Sequence, residues 1–370
     1  MVKILWLGKR FYTNKDALSE HYGRMYQLPR KWQEAGVQVR LWLIDYHTRE
    51  TLYTQDGDML VASAPMVSFG TLHQLFRALI TNRANYIVAS GDCYIGMIGW
   101  ILARLSGASF IFDIYDKYDV FAGYHRIGWF DPFGFLLKHA DRLLFASRRL
   151  ADTLRPRMRA PYQIVLNGVD LDVFKSMEML ACRRELGLSE DAIIIGYFGA
   201  MEPERGLADL IAAVALLRSQ GKSVELLLAG KASPEIQLDS PEIHYLGMVP
   251  NRQVPLLLNA CDILVIPYRH GPFIDMAASC KITEYLACRR PLVVTDTPNF
   301  MENYPQQAAM LGQALCRVSD PEDMARAFAY QFDARKILPL PENVSWDAIA
   351  ANTLSWLRSG KPKVLKSVQK

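Results

Sequence analysis

Three short stretches of the chain hold residues whose types and spacing could handle a charged, hydroxylated ligand. In residues 280–296, CKITEYLACRRPLVVTD, Lys281 and Glu284 stand three apart and so share one face at the start of a helix that runs into an apolar strand. A carboxylate so placed accepts two hydrogen bonds from adjacent hydroxyls, as on a ribose, while Lys281 and the N–H groups of Ser279 and Cys280 face an anion. The plainer reading is a helix-surface ion pair, which contributes little. In residues 196–211, GYFGAMEPERGLADLI, a strand meets a helix through a loop with Gly199 and Gly206. Unpaired N–H groups at such a helix start attract phosphate, and Arg205 adds a planar, bidentate donor for a diphosphate. Alternatively, the glycines only turn the chain and Arg205 is a solvated charge. In residues 110–119, FIFDIYDKYD, the carboxylates Asp113, Asp116 and Asp119 follow an apolar strand. They suit substrate hydroxyls or general-base work, or else they cap the next turn.

Other chemistries find little support. The seven histidines are scattered, with no H-E-x-x-H and no G-x-S-x-G. The six cysteines, at 93, 182, 261, 280, 288 and 316, form no C-x-x-C and read as reduced core residues, so no metal site is expected. The first strand is followed by LWLGKRFY rather than G-x-G-x-x-G, which disfavours a dinucleotide dehydrogenase. Forty-two basic residues against 38 acidic ones are too small an excess to argue for nucleic acid. The N-terminal run is charged again within ten residues, unlike a signal peptide, and the most apolar stretch, 94–105, is broken by Arg104 and too short to span a bilayer. A cytoplasmic protein is expected.

The elements that must position these residues alternate along the chain. Apolar runs at 3–7, 38–44, 86–89, 109–113 and 142–146 read as strands, with helices at 22–35 and 96–105; runs at 193–198, 225–229, 243–246, 263–266 and 292–295 continue the pattern, with helices after 207, near 253–260 and at 281–287. This rhythm predicts an α/β protein of two Rossmann-like domains with parallel sheets. The breaks place an N-terminal domain at 1–168, a second at 169–345, and at 346–370 a late helix crossing back onto the first domain, followed by a basic tail from Lys361. The stretch 127–137, IGWFDPFGFLL, could meet a membrane interface together with that tail, or lie buried under the first domain.

In order and spacing, EHYGRMYQLPRKWQEAGVQV, VLNGVDLDVF, IGYFGAMEPERGLADLIAA, LLLAG, CDILVIPYR and KITEYLACRRPLVVTDTPNFMEN resemble the retaining glycosyltransferases of family four, whose GT-B fold faces two Rossmann-like domains across an interdomain cleft. The resemblance implies an acceptor-binding first domain and a nucleotide-sugar-binding second domain. It implies donor-binding roles for Gly23, Gly199, Arg205, Gly230, Lys231, Ser279, Lys281, Glu284 and Thr295, with Glu302 near the nucleotide, and a catalytic role for Arg205; Asp113 and Asp116 are catalytic candidates by their own place after the strand. It further implies no metal and no cofactor beyond a UDP- or GDP-linked sugar as co-substrate, with transfer of a hexose to a glycan or lipid-linked acceptor in cell-envelope polysaccharide or lipopolysaccharide synthesis. Contact with the inner face of the membrane would then be peripheral. Three positions depart from the family pattern: Met276 stands where a glutamate meets the transferred sugar, Ala200 where an arginine meets the diphosphate, and the region of Asp113 where a histidine is often found. A sugar-nucleotide epimerase and a non-catalytic sugar-nucleotide-binding partner of a transferase are the alternatives.

Overall fold

Short β-branched runs that are apolar on both faces are suited to parallel strands covered by helices, and two such sheets form. The protein is seen in a computed structural model that describes residues 2–12, 15–81, 83–121, 123–126 and 128–359. It divides into two units, Met1–Gly168 with Ser345–Lys370, and Val169–Val344.

In the first unit the strands are β1 (Lys3–Lys9), β2 (Phe11–Tyr12), β3 (Lys15–Asp16), β4 (Gln38–Asp45), β5 (Leu52–Asp56), β6 (Met59–Pro65), β7 (Tyr86–Ser90), β8 (Ser109–Ile114), β9 (Arg142–Phe145) and β10 (Tyr162–Ile164). Eight of them form one sheet in the order β10-β9-β8-β7-β1-β4-β6-β5, parallel except for the β5–β6 hairpin, while β2 and β3 make a separate small ribbon. Strand order reverses between β1 and β7, so their carboxyl ends mark the crevice where a ligand would sit.

The second unit holds β11 (Ile193–Phe198), β12 (Val224–Ala229), β13 (Ile243–Tyr245), β14 (Ile263–Ile266), β15 (Leu292–Thr295) and β16 (Leu315–Cys316). All neighbours are parallel in the order β13-β12-β11-β14-β15-β16, the doubly wound arrangement of dinucleotide-binding folds, with its reversal between β11 and β14. Two Rossmann-like units are therefore present, as the alternation of strands and helices implied.

The helix Trp346–Ser359 belongs to the first unit. Its Trp346, Ile349, Ala350, Leu354 and Leu357 join Trp6 and Trp32 in one buried cluster. The Trp32 indole N–H donates to the Ala350 carbonyl at 3.0 Å, and the Tyr86 hydroxyl to that of Leu357 at 3.1 Å. Gly168 lets Trp346 approach, since a Cβ there would lie 2.6 Å from its ring.

The stretch 127–137 divides in two: Trp129 is 95% exposed, while its later part is buried under the first unit. Phe133, Leu136 and Leu137 are fully buried, in the helix Pro132–His139, because they complete the core beside Phe112 and Tyr118. Ile127 and the basic tail from Lys361 lie outside the described residues.

Candidate functional site

At the reversal point of the second unit, three loops meet so closely that only glycine fits. A Cβ on Gly206 would fall 1.7 Å from the Pro267 carbonyl oxygen, one on Gly230 2.0 Å from that of Gly199, and one on Gly199 2.2 Å from Lys281 Cε. All three have positive φ, of 70°, 133° and 134° respectively, which glycine adopts without strain. The Met201 N–H donates to the Lys231 carbonyl at 2.9 Å and ties the loops after β11 and β12 together. Gly199 and Gly230 thus have a structural reason in loop packing, and Lys231 beside them is exposed.

Within this frame two cations share one phenol. Arg205 ends the short turn Pro203–Arg205 before the helix Leu207–Ser219, with its guanidinium carbon 5.0 Å from the centre of the Tyr268 ring. Lys281, on the helix Cys280–Ala287, donates to the Tyr268 hydroxyl at 3.2 Å and to that of Tyr197 at 3.4 Å. Lys281 as a residue is only half-buried, but its ammonium is enclosed by the phenols and Gly199, and burial lowers its pKa. The Arg205 Nε is buried with no hydrogen-bond partner among the described residues; Glu202 Oε2 lies 3.6 Å away. Two positive groups held at the carboxyl ends of β11 and β14 are arranged to receive an anion. Sequence reasoning does not single out the tyrosines; their one local signal is that Tyr197 and Tyr268 stand at or just beyond a strand end.

Burial pushes the Tyr268 phenol up, but Lys281 and Arg205 outweigh it and bring it from 10.0 down to about 8, with Ser279 Oγ 3.1 Å from its oxygen. The folded-state value lies below the free one, so ionisation stabilises the fold increasingly above about pH 8 and that contribution is absent below it. The phenolate also cancels one positive charge of the site. Affinity for a nucleoside diphosphate should therefore fall above about pH 8, by up to about tenfold per pH unit, while Tyr268→Phe abolishes the fall. Calorimetric titration across this range, with phenolate absorbance followed in parallel, checks it. An affinity that stays flat in the wild-type protein would dissociate Tyr268 from the site.

The remaining second-unit residues differ in what they can do. Glu284 is buried one helical turn beyond Lys281, and Ser279 precedes that helix with its hydroxyl on Tyr268 rather than on the helix N–H groups. Thr295 is fully buried, and its hydroxyl donates to the carbonyls of Tyr268, at 2.7 Å, and Ile266, at 3.2 Å. These bonds tie Thr295 to the Tyr268 backbone. Met276 ends the turn Ile274–Met276, where Asp275 pairs with His270 at 3.2 Å. Glu302 is half-buried beside the helix Pro298–Met301. Among the described residues, no group of three or more His, Cys, Asp or Glu could hold a metal ion.

In the first unit, Asp113 is fully buried at the end of β8. One carboxylate oxygen accepts from Arg24 Nη1 at 3.1 Å and the other from Ser90 Oγ at 2.7 Å. Both oxygens thus have internal partners, so the structure does not present Asp113 as an exposed catalytic base. Asp119 pairs with Arg157 and Lys117, and Asp116 is buried. Tyr118 fixes the same strand ends: its oxygen accepts from the N–H groups of Gly91 and Tyr115, each at 3.1 Å, and donates to the Asp113 carbonyl. Gly23 opens the helix Arg24–Glu34 at φ 74°, with open space where a Cβ would be, so its backbone stays approachable.

Residues 192–332 match the family model described as Glycosyl transferases group 1. TuaC of Bacillus subtilis, named for teichuronic acid biosynthesis, is 26% identical over 229 residues, covering 56% of this chain and 57% of its own. The chain spans about half the length of the curated relatives it matches. Among solved structures, sucrose-phosphate synthase of Thermosynechococcus elongatus superposes with a TM-score of 0.73 at 16% identity, covering 97% of this chain and 99% of that one. HepE of Anabaena, in complex with UDP-glucose, gives 0.68 at 15% identity over 97% and 100%. Both have the fold seen here.

Proposed function

We propose that this chain, whose residues 192–332 match the group 1 glycosyltransferase model, is a retaining, metal-independent enzyme that moves a hexose from a UDP- or GDP-linked donor to a hydroxyl of a glycan or lipid-linked acceptor. The observation that carries this reading is the pairing of Arg205 and Lys281 around Tyr268 at the strand reversal of the second unit. As the bond between the sugar's anomeric carbon and the diphosphate oxygen breaks, negative charge grows on the departing nucleotide. Two fixed cations stabilise that charge without reorganisation. The acceptor oxygen bonds to the anomeric carbon, and its proton leaves with the diphosphate. Glu284 binds the nucleotide ribose, and within the first unit the Gly23 backbone is offered to the acceptor. The name of TuaC, for teichuronic acid biosynthesis, supports an envelope polysaccharide as product, and the UDP-glucose bound to HepE supports a uridine donor. Synthesis in the cytoplasm, at the membrane's inner face, belongs to the same reading.

A second reading, a sugar-nucleotide-binding partner without turnover, is favoured by Met276 and Ala200, which stand where the family has a glutamate and an arginine. One experiment separates the two. Transfer from UDP- and GDP-sugars to an acceptor panel is run in excess chelator, and product stereochemistry is read from proton coupling constants. The expected outcome is product with the donor's anomeric configuration. Activity lost on chelation and restored by magnesium or manganese overturns metal independence, an inverted product overturns retention, and donor binding without turnover favours the partner reading.

A further inference from the structure

The helix Phe69–Phe76 and the π-helical turn Arg77–Thr81 that continues it present their faces the wrong way round for a soluble surface. Inward, against the first unit, they place Thr71, Gln74 and Ala78, all buried. The Thr71 hydroxyl donates to the Pro65 carbonyl at 2.6 Å, and Gln74 accepts from Arg40 at 3.2 Å. Outward they place Phe69, Leu72, Phe76 and Ile80, at the i, i+3, i+7, i+11 spacing that makes one stripe. Phe69 and the preceding Val67 are 91% and 93% exposed, and Leu72, Phe76 and Ile80 are each more than half exposed. Ile101 and Leu105 are also exposed, on the helix Cys93–Ser106, which packs against the same turn. A helix that buries Thr71 and Gln74, leaving His73 outside, and shows its largest apolar residues has a face made for something other than water.

The charges around the stripe identify that something. Residues 59–91 contain no Asp or Glu, while Arg77 and Arg83 stand on and just beyond the turn. Arg40, beneath the helix, is held below its ordinary pKa by burial and then by repulsion from Arg77, so the base of the stripe is rich in positive charge. Glu50, beside the Thr51 that faces Gly70, is a carboxylate adjoining this side. We infer that the Phe69–Thr81 face docks on a lipid bilayer containing anionic headgroups, with Phe69, Leu72, Phe76 and Ile80 in the acyl boundary and the arginines at the headgroup level. Apolar side chains beneath a collar of arginines, on a segment without carboxylates, are complementary to such an interface. The inference deepens the membrane location in the reading above but does not depend on the reaction, which the vesicle experiment leaves untouched. Among the described residues, no helix is long and apolar enough to cross a membrane, so the contact is peripheral.

The full chain is floated with vesicles of phosphatidylcholine alone and of equimolar phosphatidylcholine and phosphatidylglycerol. Binding is expected to the mixed vesicles, weakening with salt, and to be at least about tenfold lower for Phe69→Ser/Phe76→Ser. Both sites are exposed, so the variant's thermal unfolding should match wild type. A Phe69→Trp variant gives an independent readout, a blue shift of indole emission on the mixed vesicles. Wild-type protein that does not float overturns the inference, as does a double variant that floats equally well or an indole emission from the Phe69→Trp variant that stays unshifted. A dimer in sedimentation equilibrium that the double variant dissociates, with no vesicle binding by wild type, would assign the face to a second copy of the chain instead.

Discussion

Arg205→Ala is expected to lower turnover about a hundredfold, equivalent to about 3 kcal/mol of transition-state stabilisation, while the fold loses only about 1 kcal/mol. The two numbers separate because of what the guanidinium touches. In the free protein it lies over the face of Tyr268 and 3.6 Å from Glu202, a stacking contact and a partly exposed ion pair that add little to stability. Its buried Nε lacks a hydrogen-bond partner among the described residues, and a diphosphate oxygen would supply one. Arg205→Lys keeps the charge but loses the planar fork and should fall between wild type and alanine. Turnover of purified variants at saturating donor, set beside their melting temperatures, decides the matter. Near wild-type turnover in the alanine variant would take Arg205 out of the site.

Breaking the buried Arg24–Asp113 pair should have the largest effect on stability. Neither side chain reaches solvent, and their contact is 3.1 Å. Removing one partner of such a pair leaves an uncompensated buried charge and costs about 3 to 5 kcal/mol, a large share of the roughly 5 to 15 kcal/mol that hold a domain folded. Asp113→Asn and Arg24→Ala should therefore each lower the melting temperature of the first unit by about 6 °C or more. The double change Arg24→Met/Asp113→Leu should restore much of it, because apolar replacements of similar volume leave no stranded charge. The same variants test the role of Asp113 as a general base. A base would lose turnover as Asn and keep its stability, the reverse of what its two internal hydrogen bonds imply.

The sequence showed more of the fold than of the site, for reasons visible in single residues. Strands such as Ile193–Phe198 and Leu292–Thr295 are apolar runs whose period and flanks suffice to find them. The β5–β6 hairpin has a local mark too, since Gly57-Asp58 forms its two-residue loop, but its strand Leu52–Asp56 lacks the unbroken apolar run of the others. Lys281 and Glu284 stand out because their spacing is local. Asp113 could not be interpreted locally, since its partner Arg24 lies 89 residues earlier and only the sheet order brings them together. The surroundings of Thr295 are equally non-local, because the carbonyls it bonds lie 27 and 29 residues back. The Phe69 stripe is harder still: helical periodicity marks a face, but which face turns inward is decided by β6 and the helix Cys93–Ser106, not by the pattern.

The return of the helix Trp346–Ser359 to the first unit has a consequence for how this protein is made. Trp32 and Tyr86 find their partners, the carbonyls of Ala350 and Leu357, only after all of the second unit has left the ribosome. During synthesis the first unit must wait with part of its core uncovered, while the second is contiguous from Val169 to Val344 and can close as soon as it emerges. The half that begins first is finished last. A nascent chain stalled before Trp346 should thus show a protease-resistant second unit beside a first unit still open at Trp32, where a chaperone would find its grip.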